Sequence, residues 1–258
     1  MRPISKAKLK TFTSLQAKKY RYQHGLFLVE GKKMLAESLS SGWSIHAVVL
    51  ETGFLEHNES AAEGLPSDRS FVADARTFKQ LSTQAHPEGV LTILELPSAD
   101  LPPTRLPAGQ GLLLERIQDP GNLGTLIRTA DWYGLPEIIC SPGTVDAFNP
   151  RVLRSSMGSI FRVKVSYAKE WEALLQEGAK RVWLADMAGQ AAEAAPMDAQ
   201  SWILLGNEAQ GISERSRALS GLRRLTLPRH GGAESLNVAV AGGILCHLLK
   251  KSASRLNE

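Results

Sequence analysis

The stretch LPSADLPPTRLPAGQG, residues 96–111, divides the chain. Its four prolines and two glycines exclude a helix or a central strand, because each proline fixes φ and removes an amide donor. It reads as a linker, 97–110, between a first domain over 1–96 and a second over 111–258. A chain of 258 residues is long enough for two ordinary domains.

Both halves alternate strands with helices. The first half predicts a helix over about 5–20, a strand at LFLVEG, a helix near 32–41 and a strand at IHAVVLE. A short strand at SFVAD, a helix over 75–82 and a strand at GVLTILEL follow. After the linker come strand GLLLERI, helix 122–133, strand EIIC, a helix near 150–157, strand FRVKVSY and helix 170–178. Strands RVWLADM and WILLGN, helix 212–219, strand RRLTLP and a long helix from about 235 complete the pattern. This is an α/β reading throughout. The second-half strands are apolar without clean alternation, which suits a parallel sheet covered on both faces. Ligands of such sheets sit beyond the C-terminal strand ends, so the loops after 117, 206 and 227 are where chemistry is expected.

Composition narrows the classes. No run approaches the roughly 18 apolar residues of a membrane span, and the basic start lacks the apolar core of a secretory signal. Cys140 and Cys246 lie far apart with neither disulfide-framework nor metal-like spacing, which suits a reduced, cytoplasmic setting without a structural metal. Residues 1–33 hold nine Lys and Arg against Glu30 alone, a net of +8 in a chain of net +4. Such a segment attracts polyanions, nucleic acid first. Phe12, Tyr20, Tyr22 and Phe27 are interleaved with it and suit either base stacking or a core.

Three loops carry the chemistry. In QDPGNLGTLIRTA, Asn122 is placed to cap a helix, and Arg128 falls on the face of Gly124 and Thr125, away from the Leu123–Ile127 stripe. A solvated pair with Asp131 is the plain alternative for that arginine. In LLGNEAQGIS an apolar strand runs into Gly206, Asn207 and Glu208, with Gly211 ahead of a helix. Asn and Glu there are costly to bury unpaired. In LTLPRHGGAESLNVAVAGGILCHLL, Leu227 and Pro228 end a strand, Glu234 or Ser235 starts a helix, and Leu236 and Asn237 follow. Gly242 and Gly243 inside that helix predict a second backbone packed closely against it. Neither GxGxxG nor GxxxxGK[ST] occurs, which weakens dinucleotide and ATP readings.

Together and in this order, the three loops resemble the motifs of the SpoU (TrmH) family of RNA ribose 2′-O-methyltransferases, in the SPOUT superfamily. The matching residues are Asn122, Gly124, Arg128, Thr129 and Ala130; then Gly206, Asn207, Glu208, Gly211 and Ile212; then Pro228, Glu234, Ser235, Leu236, Asn237 and Val238. AFNPRVLRSSMGSIFRVKV between them is also similar, and Ala209 departs from a usual glycine. The likeness covers about 110–250, and the basic first part resembles, more weakly, a ribosomal-protein-like α/β domain that binds RNA.

The resemblance implies a parallel-sheet domain with a deep trefoil knot. It implies S-adenosyl-L-methionine as cofactor, with Gly206, Leu227 and Leu236 holding the adenosine part and Asn207 and Gly211 shaping the wall. It implies methyl transfer to a ribose 2′-hydroxyl of RNA, most simply large-subunit (23S) ribosomal RNA, by a homodimer. Arg128 would stabilise the developing alkoxide or, as proposed for the family, act as general base; Asn122 would orient the nucleotide, and Glu208, Ser235 and Asn237 would fix the loops and bond to Arg128 or the ribose. A transfer-RNA methyltransferase and a non-catalytic RNA-binding ribosome-assembly factor are the alternatives; retention of all five of these residues favours an enzyme.

Overall fold

The computed structural model describes residues 1–58, 64–98 and 101–255. It divides into two compact units, Met1–Ala99 with Phe148–Phe161, and Asp100–Ala147 with Arg162–Glu258.

The first unit contains β1 (Arg2–Pro3), α1 (Lys6–Ser14), α2 (Lys18–His24), β2 (Leu26–Glu30), α3 (Lys32–Ser40) and β3 (Ile45–Glu51). It continues with α4 (Thr52–His57), β4 (Ser70–Ala73), α5 (Ala75–Leu81) and β5 (Val90–Glu95). The sheet order is β1-β4-β3-β5-β2, parallel from β1 to β3 and antiparallel across β5. Strand alternation supplies two faces: Ala47 and Val49 join Phe12, Phe71 and Phe78 on one side, while Val48 and Leu50 join Leu35 and Val90 on the other.

The single helix expected over 5–20 is two. Leu15 is fully buried, and the buried Arg21 donates through Nη1 to the carbonyls of Leu15 and Gln16, both at 2.9 Å. Those carbonyls are thereby satisfied without an onward helical turn, and the chain bends. β1 and α4 are too short to show a sequence period.

The second unit contains β6 (Gly111–Leu114), α6 (Pro120–Trp132), β7 (Glu137–Cys140), then, after α7 (Pro150–Ser156), β8 (Lys164–Tyr167), α8 (Trp171–Glu177) and β9 (Val182–Ala191). β10 (Trp202–Leu205), α9 (Glu214–Arg217), β11 (Arg223–Thr226) and α10 (Val238–Arg255) follow. The sheet, in order β11-β9-β10-β6-β7-β8, is parallel throughout. β6 and β10 are wholly buried, as unalternated apolar strands require. The central neighbours β9, β10 and β6 release their loops at one edge of the sheet.

Two boundaries differ from the sequence reading. α7 belongs to the first unit by its packing: Phe148 lies 4.9 Å from Phe27 between ring centroids, and Phe161 meets Trp43 edge-on at 5.2 Å. The second half of the proline-rich stretch is held rather than loose. Arg181 donates to the carbonyls of Leu106, Pro107 and Gly109, and Leu106 is buried in the core of the second unit.

Candidate active site

The first loop begins with a cap, though by a different residue than expected. Asp119 is the N-cap of α6 and accepts from the Asn122 amide N–H at 2.8 Å, with Pro120 behind it at the first helical position. Asn122 sits inside the first turn, so its side chain is free for other work. Its Nδ2 donates to Glu208 Oε1 at 2.8 Å, and its Oδ1 accepts from Asn237 Nδ2 at 3.0 Å. A carboxylate can only accept, which fixes the orientation of both amides along this chain. Asn237 in turn caps α10, its Oδ1 accepting from the N–H groups of Ala239 at 2.9 Å and Val240 at 3.3 Å. The helix thus starts later than Glu234 or Ser235. Three loops distant in sequence are tied by three side chains.

The second loop is a tight turn built on Asn207. Its backbone exchanges two hydrogen bonds with Gly211, at 3.0 and 2.9 Å, and its Oδ1 accepts from Ala209 and Gln210 N–H. Its Nδ2 donates to the carbonyl of Arg116 at 2.9 Å. Both the oxygen and the nitrogen of this buried amide are thereby hydrogen-bonded, as its burial demands. Gly206 cannot be larger: a Cβ there would stand 2.3 Å from the Gly211 carbonyl carbon.

Beside this turn opens a cavity of about 630 Å³. It is walled by the middle of β9, the ends of β10 and β11 and the loop into α10. Gly206, Asn207, Glu208, Gly211, Leu227, Ser235 and Leu236 all line it. Asn122 and Asn237 join through the hydrogen-bonded chain. Arg128 stands apart. It is exposed beside Thr125, six residues beyond Asn122, about 9 Å along the helix axis. Among the described residues it has no hydrogen-bond or ion-pair partner. The pairing with Asp131 is absent; Asp131 instead receives Arg162, Nη2 to Oδ2 at 2.9 Å.

Sequence reasoning missed Asp186 and Arg217. Between Leu184 and Gln190 the β9 register jumps while β11 advances one residue, from Arg224 to Leu225. The intervening residues bulge, and Ala185, Asp186 and Met187 reach the cavity. No local signal marked the bulge, since the expected strand RVWLADM ends at Met187, before Gly189. The Asp186 side chain is 4% exposed, with Oδ2 at 3.4 Å from Arg217 Nη1. That oxygen lies within ion-pair range yet has no hydrogen bond.

Comparison with known proteins decides the family. Residues 110–247 match the SpoU rRNA Methylase family, and residues 6–92 match the MRM3-like substrate binding domain. The chain belongs to the SpoU rRNA methylase family. It is 32% identical over 254 residues to the 23S rRNA (guanosine(2553)-2′-O)-methyltransferase RlmP of Bacillus subtilis (strain 168), covering 94% of this chain and 96% of that one. It is 32% identical to a TrmH-family structure from Porphyromonas gingivalis, TM-score 0.81, covering 97% and 99%. It is 26% identical to an AdoMet-bound rRNA methyltransferase from Sinorhizobium meliloti, TM-score 0.80, covering 97% of each chain.

The SpoU cavity here fits S-adenosylmethionine. Its volume is in the range of small-molecule sites, Leu205, Ile212, Leu225, Leu227 and Leu236 offer apolar surface, and the orphaned Asp186 oxygen suits a cofactor hydroxyl or ammonium. Among the described residues, no group of three or more His, Cys, Asp or Glu is placed to hold a metal, and no helix is long and apolar enough to cross a membrane. Burial pushes both thiols up, Cys246 to about 12, so neither is a nucleophile near neutral pH. The packing expected at Gly242 is real but intrachain and made by side chains: a Cβ there would meet Leu126 at 2.4 Å, whereas Gly243 faces open space.

Proposed function

We propose that this protein methylates the 2′-hydroxyl of one ribose in large-subunit (23S) ribosomal RNA, in the cytoplasm and as a homodimer, using its first unit to hold the RNA. The observation that carries the reading is the Asn237–Asn122–Glu208 chain, which draws the three motif loops together at the cavity edge. When bound, S-adenosylmethionine supplies a methyl group already activated on sulfonium. The chain's own residues have to orient and polarise. Gly206, Leu227 and Leu236 hold the adenosine part, and Asn207 and Gly211 keep the wall rigid. Asn122 and Glu208 orient the ribose, with Ser235 and Asn237 fixing the third loop.

Attack by a hydroxyl develops negative charge on its oxygen, and a cation at that point lowers the barrier. Arg128 provides it. A guanidinium cannot serve as base, because it does not deprotonate in proteins; the proton leaves to water or the adjacent phosphate. Arg128 does not line the cavity of its own chain. It lies one helical turn from Trp132, which is 84% exposed. On α10, Val240 and Ile244 follow each other at four-residue spacing and are also exposed. An apolar face of this kind suits a second copy, and we infer that Arg128 serves the partner's cavity. The C-terminal segment is read as the family's trefoil knot.

The test is to incubate 23S rRNA with the protein and methyl-labelled cofactor, then hydrolyse in alkali. A 2′-O-methyl group blocks cleavage of the next phosphodiester, so label is expected in one alkali-resistant dinucleotide. Label in mononucleotides overturns the reading.

A further inference from the structure

The fold puts the cations of the N-terminal segment to two different uses. Some are built into the first unit. Arg2 and Lys8 lie over the buried Phe71 ring at 5.2 and 5.0 Å, and Lys8 also covers Phe12 at 5.8 Å. Lys32 stands over Phe54 and donates to Asn58 Oδ1. Arg21 is buried beneath α2. The four aromatics split in the same way. Phe12 and Phe27 are core, whereas Tyr20 is 39% and Tyr22 51% exposed.

α2 is an unusual element. Of its seven residues only Arg21 is buried. A helix this short with so little buried surface is not stable alone. Its one buried side chain, Arg21, is tied through Nη1 to two carbonyls. With Arg21 turned inward, helical steps of about 100° put Lys19 and Gln23 on the outer crest. Lys18 and Tyr22 then share one flank, and Tyr20 and His24 the other. Lys18 Nζ is 5.7 Å from the Tyr22 ring centre, Lys19 Nζ is 5.7 Å from that of Tyr20, and the Tyr20 ring stacks on His24 at 6.4 Å and 21°. No acidic residue precedes Glu30, so α2 has only cations to offer a polyanion.

We propose that α2 is a two-sided stacking station for unpaired nucleotides of the ribosomal RNA substrate. Tyr20 and Tyr22 take one base each on the two flanks, and Lys18 and Lys19 take the adjoining phosphates. The proposal rests on the RNA reading above. Unpaired nucleotides are specified because a base within a duplex is already stacked on its neighbours. Stacking on a ring is tolerant of sequence, so α2 contributes grip rather than choice of nucleotide.

The experiment uses the full chain and fluorescence anisotropy with two probes, an oligoadenylate of about twelve nucleotides and an abasic ribose-phosphate oligomer of equal length. The wild type is expected to prefer the oligoadenylate. Tyr20→Ala and Tyr22→Ala should each weaken that binding about fivefold or more. The double variant should lose the preference for bases while binding the abasic oligomer as before, and Tyr20→Phe with Tyr22→Phe should restore it. Lys18→Gln with Lys19→Gln should lower the log–log salt slope by about 1.4, since each single-strand phosphate contact contributes about 0.7. Arg2→Gln with Lys8→Gln should lower the melting temperature and leave that slope unchanged. Equal wild-type affinity for the two probes overturns the proposal, as does wild-type binding by the Tyr20→Ala, Tyr22→Ala variant. A wild type that binds as expected yet leaves 23S rRNA unmethylated overturns the functional reading instead.

Discussion

Arg21 on α2 and Arg128 on α6 are the same residue type in two regions that use it oppositely. Arg21 is buried, with Nη1 bonded to two backbone carbonyls. Arg128 is exposed and, among the described residues, has no partner. Outside the exposed face of α2, the first region also uses polar side chains to hold itself together: Glu30 accepts from Ser82 Oγ, Thr83 N and Thr83 Oγ1. The second region turns them toward a common edge. A parallel sheet causes this, because all its strands release their loops at the same end, where polar side chains from distant segments meet. In the mixed first sheet, antiparallel neighbours send loops to both ends.

Three substitutions test this contrast, in falling order of expected effect. Arg128→Ala should lower single-turnover methyl transfer about 100-fold or more, while calorimetric affinity for S-adenosylmethionine stays near wild type. Its unfolding free energy should move by less than about 0.5 kcal/mol, as for other exposed positions. Near-normal transfer would break the comparison at its functional end. Arg21→Ala should do the reverse. It strands two carbonyls and removes the anchor of α2, at a cost of about 2 kcal/mol in urea unfolding, with cofactor affinity retained. A variant as stable as wild type would show that the burial of Arg21 is incidental. Asn237→Ala sharpens the comparison within the second region. Loss of the α10 cap should cost about 1 kcal/mol, and the freed Asn122 should lower transfer more than the stability change explains. Equal transfer by wild type and variant at a temperature where both are folded would remove the Asn237–Asn122–Glu208 chain from the mechanism.

Much of the second unit was legible because its signals are local. β6 and β10 read as buried strands since every residue in GLLL and WILL is apolar or glycine. The motif loops read as site loops because polar residues directly follow such strands. Seven of the ten expected site residues line one cavity and two more are bonded to it, by sequence spacing that was visible beforehand. Asp186 was not legible. Its place depends on a bulge that exists only because β11 pairs with both ends of β9. Arg217, which pairs with it, comes from a separate helix.

The amino-acid sequence by itself determined the α/β class, the break near the proline-rich stretch, the order of the strands along the chain and the three loops that bear polar groups. These follow from periodicity, from proline geometry and from turn chemistry, all of which act over a few residues. Only the tertiary structure decided which of Phe12, Tyr20, Tyr22 and Phe27 face solvent, that Phe148–Phe161 pack with the first unit, that Asp119 rather than Asn122 caps α6, and that Arg128 stands away from its own cavity. Each of those outcomes turns on which distant groups compete for one side chain or one carbonyl. That competition is settled by burial and hydrogen-bond satisfaction across the whole unit, which no local pattern encodes.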